Sequence, residues 1–142
     1  MDLILREYQE LAEFRYQLRH FLQFSEVQAR GHGIEPQQHQ ALLALKGLPA
    51  GAQPTIGELA NRLALRHHTT VELVNRLEVA GFVKRQPDPA DGRQILLHLT
   101  PQGTAKLRSL SLAHRDELQV KGRELSRALR AILRGSREFR AA

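Results

Sequence analysis

Apolar positions fall at helical spacing through the first thirty residues. Ile4, Tyr8, Leu11, Phe14, Leu18, Phe21 and Leu22 recur every three or four positions, which predicts one stripe on a helix over residues 2–30. Gly31-His32-Gly33 predicts its end, because glycine adopts the left-handed backbone that closes a helix. So long a helix in so short a chain needs a partner along its stripe, and a second copy of the chain is an economical one. A shorter helix follows, opened by Pro36 and turning Ala41, Leu42 and Leu45 inward. Residues 47–54 carry four Gly or Pro in eight and predict a loop.

The middle of the chain changes rhythm. Thr55-Ile56-Gly57-Glu58 has capping-box spacing and opens a helix through Leu59, Ala60 and Leu63. Thr69-Thr70-Val71-Glu72 repeats that spacing, opening a second helix through Leu73, Val74 and Leu77 to Gly81. Two short helices with a tight connection form a helix-turn-helix candidate over about 57–81. Phe82-Val83-Lys84-Arg85 and Ile95-Leu96-Leu97-His98-Leu99 then read as strands around a turn-rich tip, a hairpin wing over about 82–99. Thr100-Pro101 predicts a cap with proline at the first helical position. The rest is helical, with Leu107, Leu110, His114 and Leu118 on one stripe and Leu125, Leu129, Ile132 and Leu133 on another, and a candidate break near Gln119–Gly122. The expected fold is mainly α with a small β element (α+β). A dimerisation helix over 1–34 precedes a winged helix-turn-helix domain over 35–103, and dimerisation helices occupy 104–142.

Composition narrows the function. A chain of 142 residues suits one core with helical extensions. It contains no cysteine, which excludes disulfides, thiolate metal sites and thiol redox sensing. No apolar run approaches the ~18 residues of a membrane helix, and the N-terminus lacks the pattern of a secretory leader. The expected location is the cytoplasm. Lys and Arg number 21 against 15 Asp and Glu, for a net charge of +6. Residues 1–54 carry −1, residues 55–100 +1 and residues 101–142 +6. A basic chain suits a polyanionic partner, although basic tails are often only solvated helix faces. There is no nucleophile elbow, phosphate loop or carboxylate pair on a defined face, so no catalytic residue and no cofactor is expected. No two of the seven histidines stand four apart, and adjacent His67 and His68 point in different directions, so no metal site is expected either.

The ordered set Glu58-Leu59-Ala60-Asn61-Arg62-Leu63, Leu73-Val74-Asn75-Arg76-Leu77-Glu78, Gly81-Phe82-Val83, Asp88-Pro89, Asp91-Gly92-Arg93 and Leu99-Thr100-Pro101-Gln102-Gly103 resembles the MarR family of bacterial transcriptional regulators. The resemblance runs from about residue 55 to 103. It implies a homodimer with interlocked terminal helices, each protomer setting a recognition helix in a major groove and a wing beside the minor groove. It also implies a DNA-binding repressor that releases its pseudo-palindromic operator when a small aromatic or anionic effector binds. Two departures stand out: Gly92 replaces the middle arginine of the usual Asp-Arg-Arg wing, and Glu72 occupies a position that is often basic.

At 100° per residue, Thr70, Leu73, Val74, Leu77 and Gly81 share the inward face of the second helix of the pair. His68, Glu72, Asn75 and Val79 oppose them, with Val71 and Arg76 on the flanks. Recognition helices read bases with their N-terminal half, which makes His68, Thr69, Val71, Glu72 and Asn75 the groove candidates, with Arg76 beside them. Asn pairs with adenine, Glu accepts from cytosine, and Val meets a thymine methyl. Thr69 and Glu72 equally satisfy a capping box, and Arg76 could instead brace the wing through an acidic residue. On the wing, Arg93 is the leading minor-groove candidate, with Asp91 placed to hold its guanidinium in a bidentate pair or only to stabilise the turn. Lys84, Arg85 and Gln94, with Arg62 and Arg66 on the helices, are candidate backbone contacts; Arg85 could also lie on a solvated strand face. Arg123, Arg127, Arg130, Arg134 and Arg137 form a basic set best read as solvated surface. Arg15, Tyr16, Arg19, His20, His39 and His114, polar groups near apolar stripes, are effector candidates, or else interhelical ion pairs and core histidines. A winged-helix protein-interaction module and a non-specific architectural DNA-binding protein are the alternatives.

Overall fold

The computed structural model describes residues 2–141, with side chains through Gly135. The element order is α1 (Leu5–Gly31), α2 (Pro36–Lys46), α3 (Ile56–Leu63), α4 (His67–Val79), β1 (Val83–Pro87), β2 (Ile95–Leu99) and α5 (Pro101–Ala141). The chain forms two compact units, Ala29–Ser111 and the pair of segments Met1–Gln28 and Leu112–Ala142.

The Ala29–Ser111 unit is a winged helix-turn-helix. Its core is aliphatic, with Leu42, Leu59, Leu73, Val74, Leu77, Val83, Leu97 and Leu110 all buried. Each fully buried leucine contributes on the order of 1.5–3 kcal/mol of transfer free energy. Three helix ends in this unit close by the same device. In each, a residue at positive φ (Gly33, Ala64 or Gly81) donates its N–H three residues back, and its successor donates five back: Ile34 to Ala29 O, Leu65 to Ala60 O and Phe82 to Leu77 O. This Schellman geometry satisfies carbonyls the helix leaves unpaired and turns an apolar residue back toward the core. Ala64, at φ 53, is the only non-glycine at positive φ among the described residues, and it makes the three-residue connection between α3 and α4.

The helix starts differ from the sequence expectation in two places. Thr55 does cap α3, its Oγ1 accepting from Glu58 N–H at 3.1 Å, but the Glu58 carboxylate turns to Arg62 at 3.0 Å instead of completing the box. At α4 the expected box is absent. The helix begins at His67 with Arg66 at the cap, so Thr69 and Glu72 lie inside it. The closure of α3 consumes Leu65, which leaves Arg66 alone to turn the chain into the next helix. Thr70 then donates its hydroxyl to Arg66 O at 2.9 Å.

Strands β1 and β2 pair antiparallel with Val83 opposite Leu99 and Pro87 opposite Ile95. The outer edge of β2 is tied down as well, because Leu97 N–H donates to Pro54 O at 2.7 Å. At the wing's root Thr100 N–H donates to Phe82 O, and Thr100 Oγ1 both donates to Gly81 O and accepts from Gly103 N–H. Gly103 is required there: a Cβ on it would stand 2.1 Å from Phe82 O.

The helices of the second unit are residues 5–28 of α1 and residues 112–141 of α5. His114 bonds the buried Ser25 hydroxyl at 2.8 Å, and the rings of Phe21 and Phe24 meet His114 edge-on. Helix α5 continues through the expected break at Gln119–Gly122. A lone interior glycine costs about 1 kcal/mol relative to alanine, too little to stop a helix flanked by good helix formers.

Candidate nucleic-acid interface

The two faces of α4 separate as the periodicity predicts. Thr70, Leu73, Val74 and Leu77 are buried, whereas His68, Glu72, Asn75 and Arg76 are exposed and Thr69 and Val71 are half-buried. Gly81, assigned to the inward face, instead lies past the helix end and is half-exposed. Glu72, released from any capping duty, presents its carboxylate outward. Val79 extends the outward row and is 91% exposed, an apolar group with nothing of its own unit over it. Its place opposite the core stripe was the signal that could have added it to the candidate list.

Arg66 and His68 stand at the start of α4, and Lys84 and Arg93 stand on the wing; all four are exposed. Arg62 is partly neutralised by Glu58. The wing tip is shaped by its two aspartates. Asp88, 7% exposed, accepts from Ala90 N–H through its carboxylate while its own N–H donates to Gln94 O. Asp91 accepts through Oδ1 from the backbone N–H of Arg93 at 3.1 Å, and its carbonyl accepts from Gln94 N–H. Of the two readings of Asp91, the turn-stabilising one is observed, and no pair forms between its carboxylate and the Arg93 guanidinium. The reason is reach: two residues apart in a tight turn, the carboxylate meets the amide before the guanidinium. The Arg93 side chain projects unengaged at the tip.

Arg85 departs from the sequence expectation. Its guanidinium spans from β1 to α4, donating from Nη1 to Glu78 Oε1 and from Nη2 to Asn75 Oδ1, each at 2.8 Å. The wing brace, one of the two readings of Arg76, is thus supplied by Arg85. Arg76 itself, one position from Asn75, faces solvent.

The proposed effector residues do not form one constellation. The rings of Tyr16 and His20 meet at a tilt of 47° with centroids 4.3 Å apart and line a cleft of about 480 Å³ with Phe21, Phe24, Leu118 and Lys121. Arg15 and Arg19 are exposed and do not line it. His114 is engaged with Ser25, and His39 is buried within the other unit. Lys121, which the sequence pattern did not single out, also pairs with Glu117 at 3.5 Å. On α5, Arg123, Arg127, Arg130 and Arg134 line a shallow groove, while the Arg137 side chain lies outside the described residues.

The MarR family model matches residues 32–94. The transcriptional regulatory protein proposed for the hcr operon of Thauera aromatica is 30% identical over 121 residues, covering 85% of this chain and 71% of that protein. The helix-turn-helix-type regulator YsmB of Bacillus subtilis is 32% identical over 99 residues, covering 67% of this chain and 66% of its own length. The chain thus spans about two thirds of the length of these curated relatives. Among solved structures, a mutant of S. aureus MepR bound to an oligodeoxyribonucleotide superposes with a TM-score of 0.65 at 20% identity, covering 91% of this chain and 96% of that one. With the helix-turn-helix and wing already in place, the family model and the curated relatives settle the assignment: the chain belongs to the MarR family of winged-helix transcriptional regulators.

Proposed function

We propose that the protein acts as a homodimeric, sequence-specific repressor that binds a pseudo-palindromic duplex and responds to a small aromatic or anionic effector. The observation that carries this reading is the outward face of α4, where His68, Glu72, Asn75 and Arg76 project from a helix whose opposite face is locked in the core. A helix so anchored can enter a major groove without reorganising, and the exposed Arg93 at the wing tip suits the negative potential of a narrow minor groove. Arg66 and Lys84 flank these groups as phosphate contacts. MepR, which shares the fold, was solved bound to an oligodeoxyribonucleotide, and this supports the same docking mode here. The cleft containing Tyr16, His20 and Lys121 offers aromatic walls, and with Lys121 paired to Glu117 and Glu124 also in the lining, it suits the aromatic face of an effector more than an anionic group.

Selection of bound duplexes from a random pool tests the reading. Two inverted half-sites about one helical turn apart are expected, with affinity falling steeply as salt rises. Arg93→Ala should weaken binding by roughly 1–3 kcal/mol. Equal affinity for selected and random duplexes at physiological salt would leave only an architectural role, and no binding at all would leave a protein-interaction module.

A further inference from the structure

We propose that Arg85 is a positioning residue that fixes which edge of the Asn75 amide faces the DNA, and thereby makes the protein reject cytosine at the base Asn75 meets. The inference rests on the DNA-binding reading above and adds a source of specificity to it. Asn75 and Glu78 are three apart on α4, so their side chains are neighbours on one helix surface. The Arg85 guanidinium reaches both from β1, at 2.8 Å to Glu78 Oε1 and 2.8 Å to Asn75 Oδ1. A guanidinium has only hydrogens to offer, so the amide atom facing it must be the oxygen. Chemistry decides here what an amide's shape does not.

The consequence is directional. With its oxygen turned to Arg85, Asn75 presents its NH2 group outward. Purine N7, guanine O6 and thymine O4 all accept from such a group in the major groove. Cytosine offers the N4 amino group, so donor would meet donor. A free asparagine escapes this by rotating its amide half a turn and accepting from N4. Arg85 removes that escape, and Glu78 keeps the guanidinium in register by holding its other nitrogen. Lysine cannot replace it: an ammonium is a single point charge and does not bridge two acceptors in a planar fork.

The test compares wild type, Arg85→Lys, Asn75→Ala and the double variant by selection from random duplexes, with a thermal melt confirming that each is folded. Wild type should disfavour cytosine by roughly tenfold or more at one position per half-site. Arg85→Lys, which keeps the charge, should reduce that penalty to less than about threefold while other positions hold their preference. On the Asn75→Ala background the lysine substitution should change no base preference. In the free protein, the side-chain NH2 of Asn75 should be more ordered by NMR than that of Asn61, the only other asparagine, and should lose that order in Arg85→Lys. Uniform weakening across all sequences with unchanged preferences would overturn the proposal and make Arg85 a phosphate contact or a simple brace. An Asn75 amide as mobile as that of Asn61 would overturn it as well. A rigid amide in a wild type that selects no sequence would overturn the DNA reading and the specificity role together, while leaving the fork intact.

Discussion

The two units of this chain treat their apolar side chains in opposite ways. In Ala29–Ser111 the leucines of four helices and a hairpin turn onto one another, and Leu42, Leu59, Leu73 and Leu77 are fully buried. Exposed large hydrophobics in that unit are few among the described residues: Leu43, Val79 and Ile95. The unit built from the two chain ends leaves Leu5, Tyr8, Leu11, Leu22, Leu118, Leu129 and Leu133 in the open. Leu5, Tyr8 and Leu11 follow at three-residue spacing on α1, and Leu129 and Leu133 are four apart on α5, so each group shares a helix face. Exposed apolar side chains gathered on a helix face are the kind of surface that interaction sites use. The contrast teaches that the winged unit covers most of its large apolar side chains within itself while the terminal-helix unit does not, which supports the proposed homodimer.

The contrast can be broken or sharpened by substitution. Leu73→Ala empties a fully buried site and should cost about 2–5 kcal/mol in urea unfolding at any protein concentration. Leu129→Asp, at an exposed site, should instead abolish the concentration dependence of Tm and shift sedimentation to the monomer, with little effect on the winged unit. If both variants behaved alike, the two units would not differ in kind. Next in size is Gly103→Ala, whose added methyl must push Phe82 O aside, with an expected loss of about 1–3 kcal/mol in the winged unit and no change in oligomeric state. Smallest is Gly92→Arg. No atom lies within 4 Å of a Cβ there and Gly92 has no positive φ, so the fold does not require glycine. The added arginine should leave Tm unchanged and steepen the log–log salt dependence of DNA binding by about one phosphate contact per protomer.

What the sequence made legible follows from how local each interaction is. The inward and outward faces of α4 were readable because a 3.6-residue period needs no partner to be seen. The Thr55 cap and the glycine closing α1 were readable for the same reason, each acting within a turn of itself. The start of α4 was misplaced because two Thr-x-x-Glu patterns look alike, and only the closure of α3 decides which one begins a helix. The reciprocal contact of Gln38 with Glu35 N–H at 3.0 Å went unnoticed because a glutamate makes an unusual cap. Arg85 was legible as a cation but not as a fork, since its partners lie seven and ten residues away and meet it only when the hairpin packs on the helix. The effector set dispersed because polar residues near an apolar stripe share a helix face without sharing a cavity.

The knot of contacts at Phe82 has a consequence for how such a protein can change. The mouth of the wing is drawn shut by backbone groups and one threonine hydroxyl, with a bare Cα pressed against the carbonyl. Few of the outward-facing side chains between residues 84 and 98 take part in that closure. Mutation can therefore rewrite the finger's outer surface while the purse-string at its base stays tied.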